Sequence, residues 1–237
     1  MLFISTHAFG IPVRNITTGT IDTYLDDGDL GVVLEDACIV RVEPATSILA
    51  KTKWDKRPDW WNLLGTLGCV YGLGEFTYAE TSFSFGYKSD EAVALHFLTD
   101  VYLEKPSYLF IGGVKIQADK DQLTAIPSTA FKYYFSDFLS VWAKYMFIYD
   151  SVYGIDNAGW IETEVIPSSV FRFKVGGTAA SYHTETLVSE QKLELSALAG
   201  LQVRPWDIVS FRYQFTYTHR DEYQKISNMI VVDLNIR

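Results

Sequence analysis

From residue 93 onward the chain repeatedly alternates apolar and polar positions over about ten residues, then breaks at a turn. In 208–218, Val209, Phe211, Tyr213, Phe215 and Tyr217 share one face, and Ser210, Arg212, Gln214, Thr216 and Thr218 share the other. Segment 192–204 sets Leu193, Leu195, Ala197, Ala199, Leu201 and Val203 against Lys192, Glu194, Ser196, Gln202 and Arg204. Segments 93–104, 139–149 and 226–237 follow the same rule. A period of two marks β-strands, and no helical window competes with it. Strands of soluble domains centre on about 5–6 residues, whereas a tilted strand crossing a bilayer needs about 9–11. Runs of this length, separated by turn residues, are the pattern of a transmembrane β-barrel.

Twelve strands are expected, at 47–56, 62–72, 77–87, 93–103, 108–118, 123–135, 139–149, 160–167, 170–181, 192–204, 208–218 and 226–236. Two weaker candidates, 15–25 and 33–42, would raise the count to fourteen. The fold class is therefore all-β, an antiparallel up-and-down barrel of about 12 strands with 14 as the alternative. Connections at Pro205–Trp206, Pro167–Ser169, Asp137–Phe138 and Pro106–Ser107 are tight. Those at 219–225, 182–191, 150–159, 119–122 and 88–91 are longer or more polar, as expected when one barrel end carries turns and the other carries loops. Pro127 falls inside 123–135, where its missing donor suggests a strand end or bulge. Aromatic residues near strand ends (Tyr71, Tyr87, Tyr102, Tyr108, Tyr133, Tyr149, Trp160 and Trp206) are candidates for interfacial girdles.

The rest of the composition narrows the function. A formal charge of −9 and a pI near 4.9 argue against a nucleic-acid partner. Cys38 and Cys69 lack zinc spacing and are too few for a disulfide framework; whether they pair is left open. The longest stretch free of charge, Trp60 to Gly74, is 15 residues, short of the roughly 18 that a membrane helix needs. One domain is expected over 11–237. Residues 1–10 (MLFISTHAFG) are apolar and end on small residues without a basic start, which suggests the remnant of an export signal.

Charged residues cannot face acyl chains cheaply, so the alternation assigns them to the lumen. On that face it places Lys115, Lys132, Lys144, Arg172, Lys174 and Arg212 with Glu80, Asp100, Glu194 and Asp233. Two interiors fit this mixture: an ion-paired plug of side chains, or an anion-preferring path for a small solute or an acidic polymer. None of His7, His96, His183 and His219 is followed by the His-x-Ser arrangement typical of barrel lipid hydrolases, Gly72–Gly74 opens no phosphate-binding helix, and Glu162 with Glu164 reads as a solvated pair. No catalytic residue, metal site or cofactor is expected.

The stretch from Tyr108 to the end resembles the YaiO-type family of bacterial outer-membrane β-barrels. The resemblance rests on an order of pieces: YLFIGGVKI at 108–116, FKYYFSDFLSVWAKYMF at 131–147, FRFKVGG at 171–177, then Trp206 to Tyr217 and Met229 to Ile236. It covers just over half the chain. It implies the outer membrane of a Gram-negative-type bacterium and a barrel of about twelve strands, and it offers no catalytic motif. Arg237 departs from the aromatic with which such barrels usually end.

The expected function is a non-enzymatic outer-membrane barrel, structural or weakly channel-forming, linked to envelope or surface polysaccharide export. Its expected partners are outer-membrane lipids and small anionic solutes or polysaccharide. Two alternatives stand beside it: a membrane-embedded lipid-modifying hydrolase using His183 or His219, and a soluble β-barrel binding a small apolar ligand.

Overall fold

The computed structural model describes residues 13–57, 60–89, 93–119, 122–183 and 191–236. The segment 1–10, read as a signal remnant, lies outside the described residues. Fourteen strands, each antiparallel to its neighbours, form one closed barrel. They are β1 Val13–Tyr24, β2 Leu30–Glu43, β3 Thr46–Lys56, β4 Trp61–Gly72, β5 Thr77–Lys88, β6 Val93–Lys105 and β7 Tyr108–Asp119. The circuit continues with β8 Gln122–Ser136, β9 Leu139–Asp150, β10 Gly154–Val165, β11 Phe171–His183, β12 Gln191–Trp206, β13 Val209–His219 and β14 Gln224–Ile236. Closure is by β1 against β14, in register from Val13↔Ile236 to Tyr24↔Lys225. With the ring closed, no strand edge is left unpaired.

The count is fourteen, not about twelve. The two weak N-terminal candidates are full strands, β1 and β2. Their signal is weak for a physical reason: Asn15, Thr17 and Asp36 stand on the outer face, where the other strands carry mostly apolar side chains. Several connections are also tighter than expected. Strand β10 starts at Gly154, so 154–159 belongs to the wall, and the turn after β12 is Asp207–Ile208. Pro205 and Trp206 instead close β12, just after a register shift between Val203 and Trp206. Between consecutive described strands the chain runs at most seven residues.

Pro127 is neither a strand end nor a bulge. It pairs with Val114 of β7, and the β8–β9 register is the same on both sides of it, Ala125↔Tyr149 and Ser128↔Met146. Between these pairs the ladder to β9 skips Ile126 and Pro127, so proline's missing N–H opens a gap without changing alignment.

The faces divide as the alternation requires. Leu67, Phe135 and Val175 are 64%, 62% and 58% exposed on the outer surface, and Phe211, Tyr213 and Phe215 line the outside of β13. The buried apolar positions are mostly alanine (Ala37, Ala79, Ala94, Ala130 and Ala158), and no large side chain among the described residues is fully buried. A soluble barrel built around an apolar ligand needs the reverse arrangement, with the large apolar rows inside.

Two of the girdle candidates point inward instead. The Tyr102 ring stacks on Tyr78, with centroids 4.4 Å apart, and its hydroxyl donates to Glu80 at 3.3 Å. Trp160 lies beside Trp142 at 6.0 Å. Strand parity decides here over nearness to a strand end: each follows an outward-facing residue, Val101 and Gly159. Tyr71, Tyr87, Tyr133, Tyr149 and Trp206 are exposed.

Candidate functional site

The inner wall carries charges arranged largely as short cross-strand clusters. The most buried cluster joins β8 to β11. Glu164 is about 5% exposed; it accepts from Lys132 at 2.7 Å, with Lys174 and Arg172 each 3.8 Å away. Glu162, two residues earlier on the same face, accepts from Lys174 at 2.7 Å. Adjacent inward positions on a strand recur every second residue, so Glu162 and Glu164 share a face with Trp160. The solvated-pair reading of these two glutamates is corrected accordingly: they are the acidic centre of a five-residue lattice with Lys132, Arg172 and Lys174.

A second cluster sits where β1, β3 and β14 approach the 57–60 connection. Arg57 donates to Asp22 and, at 2.8 Å, to Asp55, while Lys225 lies 3.7 Å from Asp22. Burial pulls the Arg57 guanidinium below its ordinary pKa, and it also raises the Tyr223 phenol in the 220–223 connection. Nearby, Arg220 donates to Glu194 and stacks over Tyr182 at 4.0 Å. Tyr182 donates to Glu222 at 2.5 Å and Lys192 lies 3.2 Å from the same carboxylate, which holds Glu222 below the usual carboxylate range.

The ten charged residues assigned to the lumen from sequence fall into four places. Lys132, Arg172 and Lys174 belong to the Glu162–Glu164 lattice. Glu194 pairs with Arg220, and Asp233 pairs with Arg14. Lys115 lines a cavity of about 470 Å³ with Glu80, His96, Lys51 and Lys53. Lys144, Asp100 and Arg212 take part in no ion pair within 4 Å among the described residues. The Asp100 carboxylate instead folds over Gly113, and the buried Nε of Arg212 has no partner.

Sequence reading missed Arg14, Asp22, Glu35, Lys51, Lys53, Asp55, Lys88 and Asp119. Arg14, Asp22 and Glu35 lie on β1 and β2, the two strands only weakly signalled in sequence; Lys51, Lys53 and Asp55 lie on β3, and Lys88 and Asp119 close β5 and β7 one residue beyond the expected strand ends, where parity alone would have assigned them. Of the histidines, His96 is within 3.3 Å of Gln117 and His219 is exposed at the end of β13. His7 and the His183 side chain lie outside the described residues. Cys38 and Cys69 are unbonded thiols on β2 and β4, with β3 running between them.

Two inner acids sit opposite glycines. Asp100 pairs across strands with Gly113 and Glu162 with Gly176, and in each case a side chain on the glycine would collide with its partner. The Asp100 carboxylate thus lies along the wall over Gly113, whereas at Gly176 the close neighbours are the Ile161 carbonyl and the Cα and Cβ of Glu162, whose carboxylate is held by Lys174.

No family model matches the chain, and no curated protein matches it. Solved structures do. The toluene transporter TbuX of Ralstonia pickettii matches at TM-score 0.69 and 8% identity, over 96% of this chain and 90% of that one. A bacterial polysaccharide outer membrane secretin matches at TM-score 0.66 and 9% identity, over 95% and 98%. The monoaromatic hydrocarbon channel CymD matches at TM-score 0.62 and 9% identity, over 94% and 88%. At such identities the likeness is one of fold: the chain is a closed antiparallel fourteen-stranded β-barrel of the architecture found in outer-membrane proteins.

Proposed function

We propose that the chain is an outer-membrane barrel acting as a passive, non-enzymatic channel for small hydrophilic solutes. The observation that carries this reading is the inner wall itself. It is lined by ion pairs and hydroxyls, the Asp100 carboxylate lies back on Gly113, and no large side chain among the described residues is fully buried. A packed, plugged interior would bury large side chains, as small eight-stranded barrels do. The outer apolar rows support a place in the lipid bilayer, because a surface of this character is stable only against acyl chains.

The fold cannot choose the solute. The similar structures are a polysaccharide secretin, a monoaromatic hydrocarbon channel and a toluene transporter, chemically opposite cargos on one architecture. The charged lining favours water-soluble ones. Membership of the YaiO-type family, with a role in envelope or polysaccharide export, belongs to the same proposal. It is supported by the pieces at 108–116, 131–147 and 171–177, while fourteen strands depart from the dozen that the resemblance implies.

Planar-bilayer recording tests the proposal. Purified protein should insert to give discrete, ohmic conductance steps that persist without added ligand, and a silent barrel that inserts without leaking contradicts it.

A further inference from the structure

Four guanidinium groups gather at one mouth of the barrel. Arg14 of β1, Arg172 of β11, Arg204 of β12 and Arg212 of β13 line a cavity of about 340 Å³, at the end where Val13 and Ile236 lie. That volume is at the small end of ligand pockets, which run to about 300–1,000 Å³. Their hydrogen-bonding capacity is only partly used. Arg14 is matched by Asp233 through bonds of 2.9 and 2.6 Å. Arg204 donates to the carbonyl of Asp207 at 3.1 Å. Arg172 reaches Glu164 only at 3.8 Å, and that carboxylate is already held by Lys132 at 2.7 Å. Arg212 has no ion pair among the described residues, and its buried Nε has no hydrogen-bond partner.

A buried guanidinium N–H without an acceptor is unfavourable, and an incoming anion supplies the acceptor. Guanidinium geometry selects a planar, two-oxygen partner over a point anion, because two parallel N–H···O bonds form at once. The same cavity is lined by the Ser210 hydroxyl and the Asn235 amide, which suit a ligand carrying hydroxyl groups beside its carboxylate. Within the channel reading above, on which this rests, we infer that the cavity is a binding site for a small hydroxylated carboxylate of the uronic-acid kind. Arg212 and Arg172 hold the carboxylate, and Ser210 and Asn235 meet the hydroxyls.

Saturation-transfer NMR on the full chain in detergent micelles tests the site whether or not the barrel conducts. D-Glucuronate should receive saturation and D-glucose far less. Arg212→Gln should weaken glucuronate binding about tenfold, the loss expected for one charge-assisted bidentate contact. Arg172→Gln provides a second variant, and retained heat-dependent gel mobility establishes that each variant is folded. Equal transfer to both sugars, or both variants binding glucuronate like the parent, overturns the inference. Inorganic phosphate displacing glucuronate at equal concentration overturns the assignment to a carboxylate. A barrel that is silent in bilayers contradicts the channel reading alone, since the micelle titration still reads the site.

Discussion

Asp100 of β6 rests against the backbone of Gly113 on β7, its carboxylate filling the space into which a side chain at 113 would grow. The pairing keeps an unpaired acid off the axis of the bore. Gly113→Ala should force the carboxylate inward or the strands apart, destabilising the barrel by about 1–3 kcal/mol, as overpacking does. The check is the temperature at which the folded gel band converts to the unfolded one, together with single-channel conductance; both should fall.

Glu164 is the hub of the inner lattice. Glu164→Gln leaves Lys132 without its 2.7 Å carboxylate partner and removes the carboxylate 3.8 Å from Arg172, while Lys174 keeps Glu162. Loss of one member of a dry buried pair is worth about 3–5 kcal/mol, but lumenal water reaches the lysines, so about 1–2 kcal/mol is expected here. Adding Lys132→Gln should recover part of it, giving a coupling energy in a double-mutant cycle. The single variant should also shift the reversal potential in a salt gradient towards anions.

Asp36 is the outlier of the outer surface. It lies mid-strand on β2, accepts a hydrogen bond from Thr17 at 2.9 Å, and pairs laterally with Thr52. A carboxylate in the acyl region is unfavourable, though less so than a lysine at about 2–4 kcal/mol. Asp36→Leu should therefore raise the unfolding temperature in lipid, by about 1–2 kcal/mol of added stability, and Asp36→Lys should lower it. Unchanged midpoints for both variants would mean that this part of the wall does not meet lipid.

The same residue explains what the sequence concealed. Strand β13 was legible because Phe211, Tyr213, Phe215 and Tyr217 all face out and every intervening residue is polar. Strands β1 and β2 were faint because Asn15, Thr17 and Asp36 put polarity on the outer face, which blurs a period of two. Trp160 and Tyr102 misled for another reason: an aromatic near a strand end belongs equally to a girdle or to a lumenal stack, and only its parity separates the two. The Glu162–Glu164 lattice needed three strands in register, and pairing across strands is not written in any one of them. The arginine mouth likewise joins β1 to β11–β13, positions that only ring closure brings together.

The clasp that Tyr182 and Lys192 form on Glu222 of the 220–223 connection depends on acidity. Tyr182 and Lys192 hold Glu222 below the ordinary carboxylate pKa. A carboxylate lowered by folding contributes stability above its unfolded pKa and loses it as pH falls through the folded one. The clasp should therefore be intact at neutral pH and release only in clearly acid solution. Glu222→Gln should abolish that acid transition, read as the pH dependence of open-channel noise.

The central claim is that apolar rows meet lipid while polar rows meet an aqueous lumen, and one scan along β13 tests it most directly. Single cysteines are placed at 210 through 216 in a background with Cys38 and Cys69 replaced, the protein is reconstituted, and each position is probed with a charged thiol reagent and with a lipid-borne quencher. The account predicts strict alternation: the aqueous reagent reaches 210, 212, 214 and 216, and the lipid quencher reaches 211, 213 and 215. Aqueous labelling at 211, 213 and 215, or no alternation at all, would contradict it.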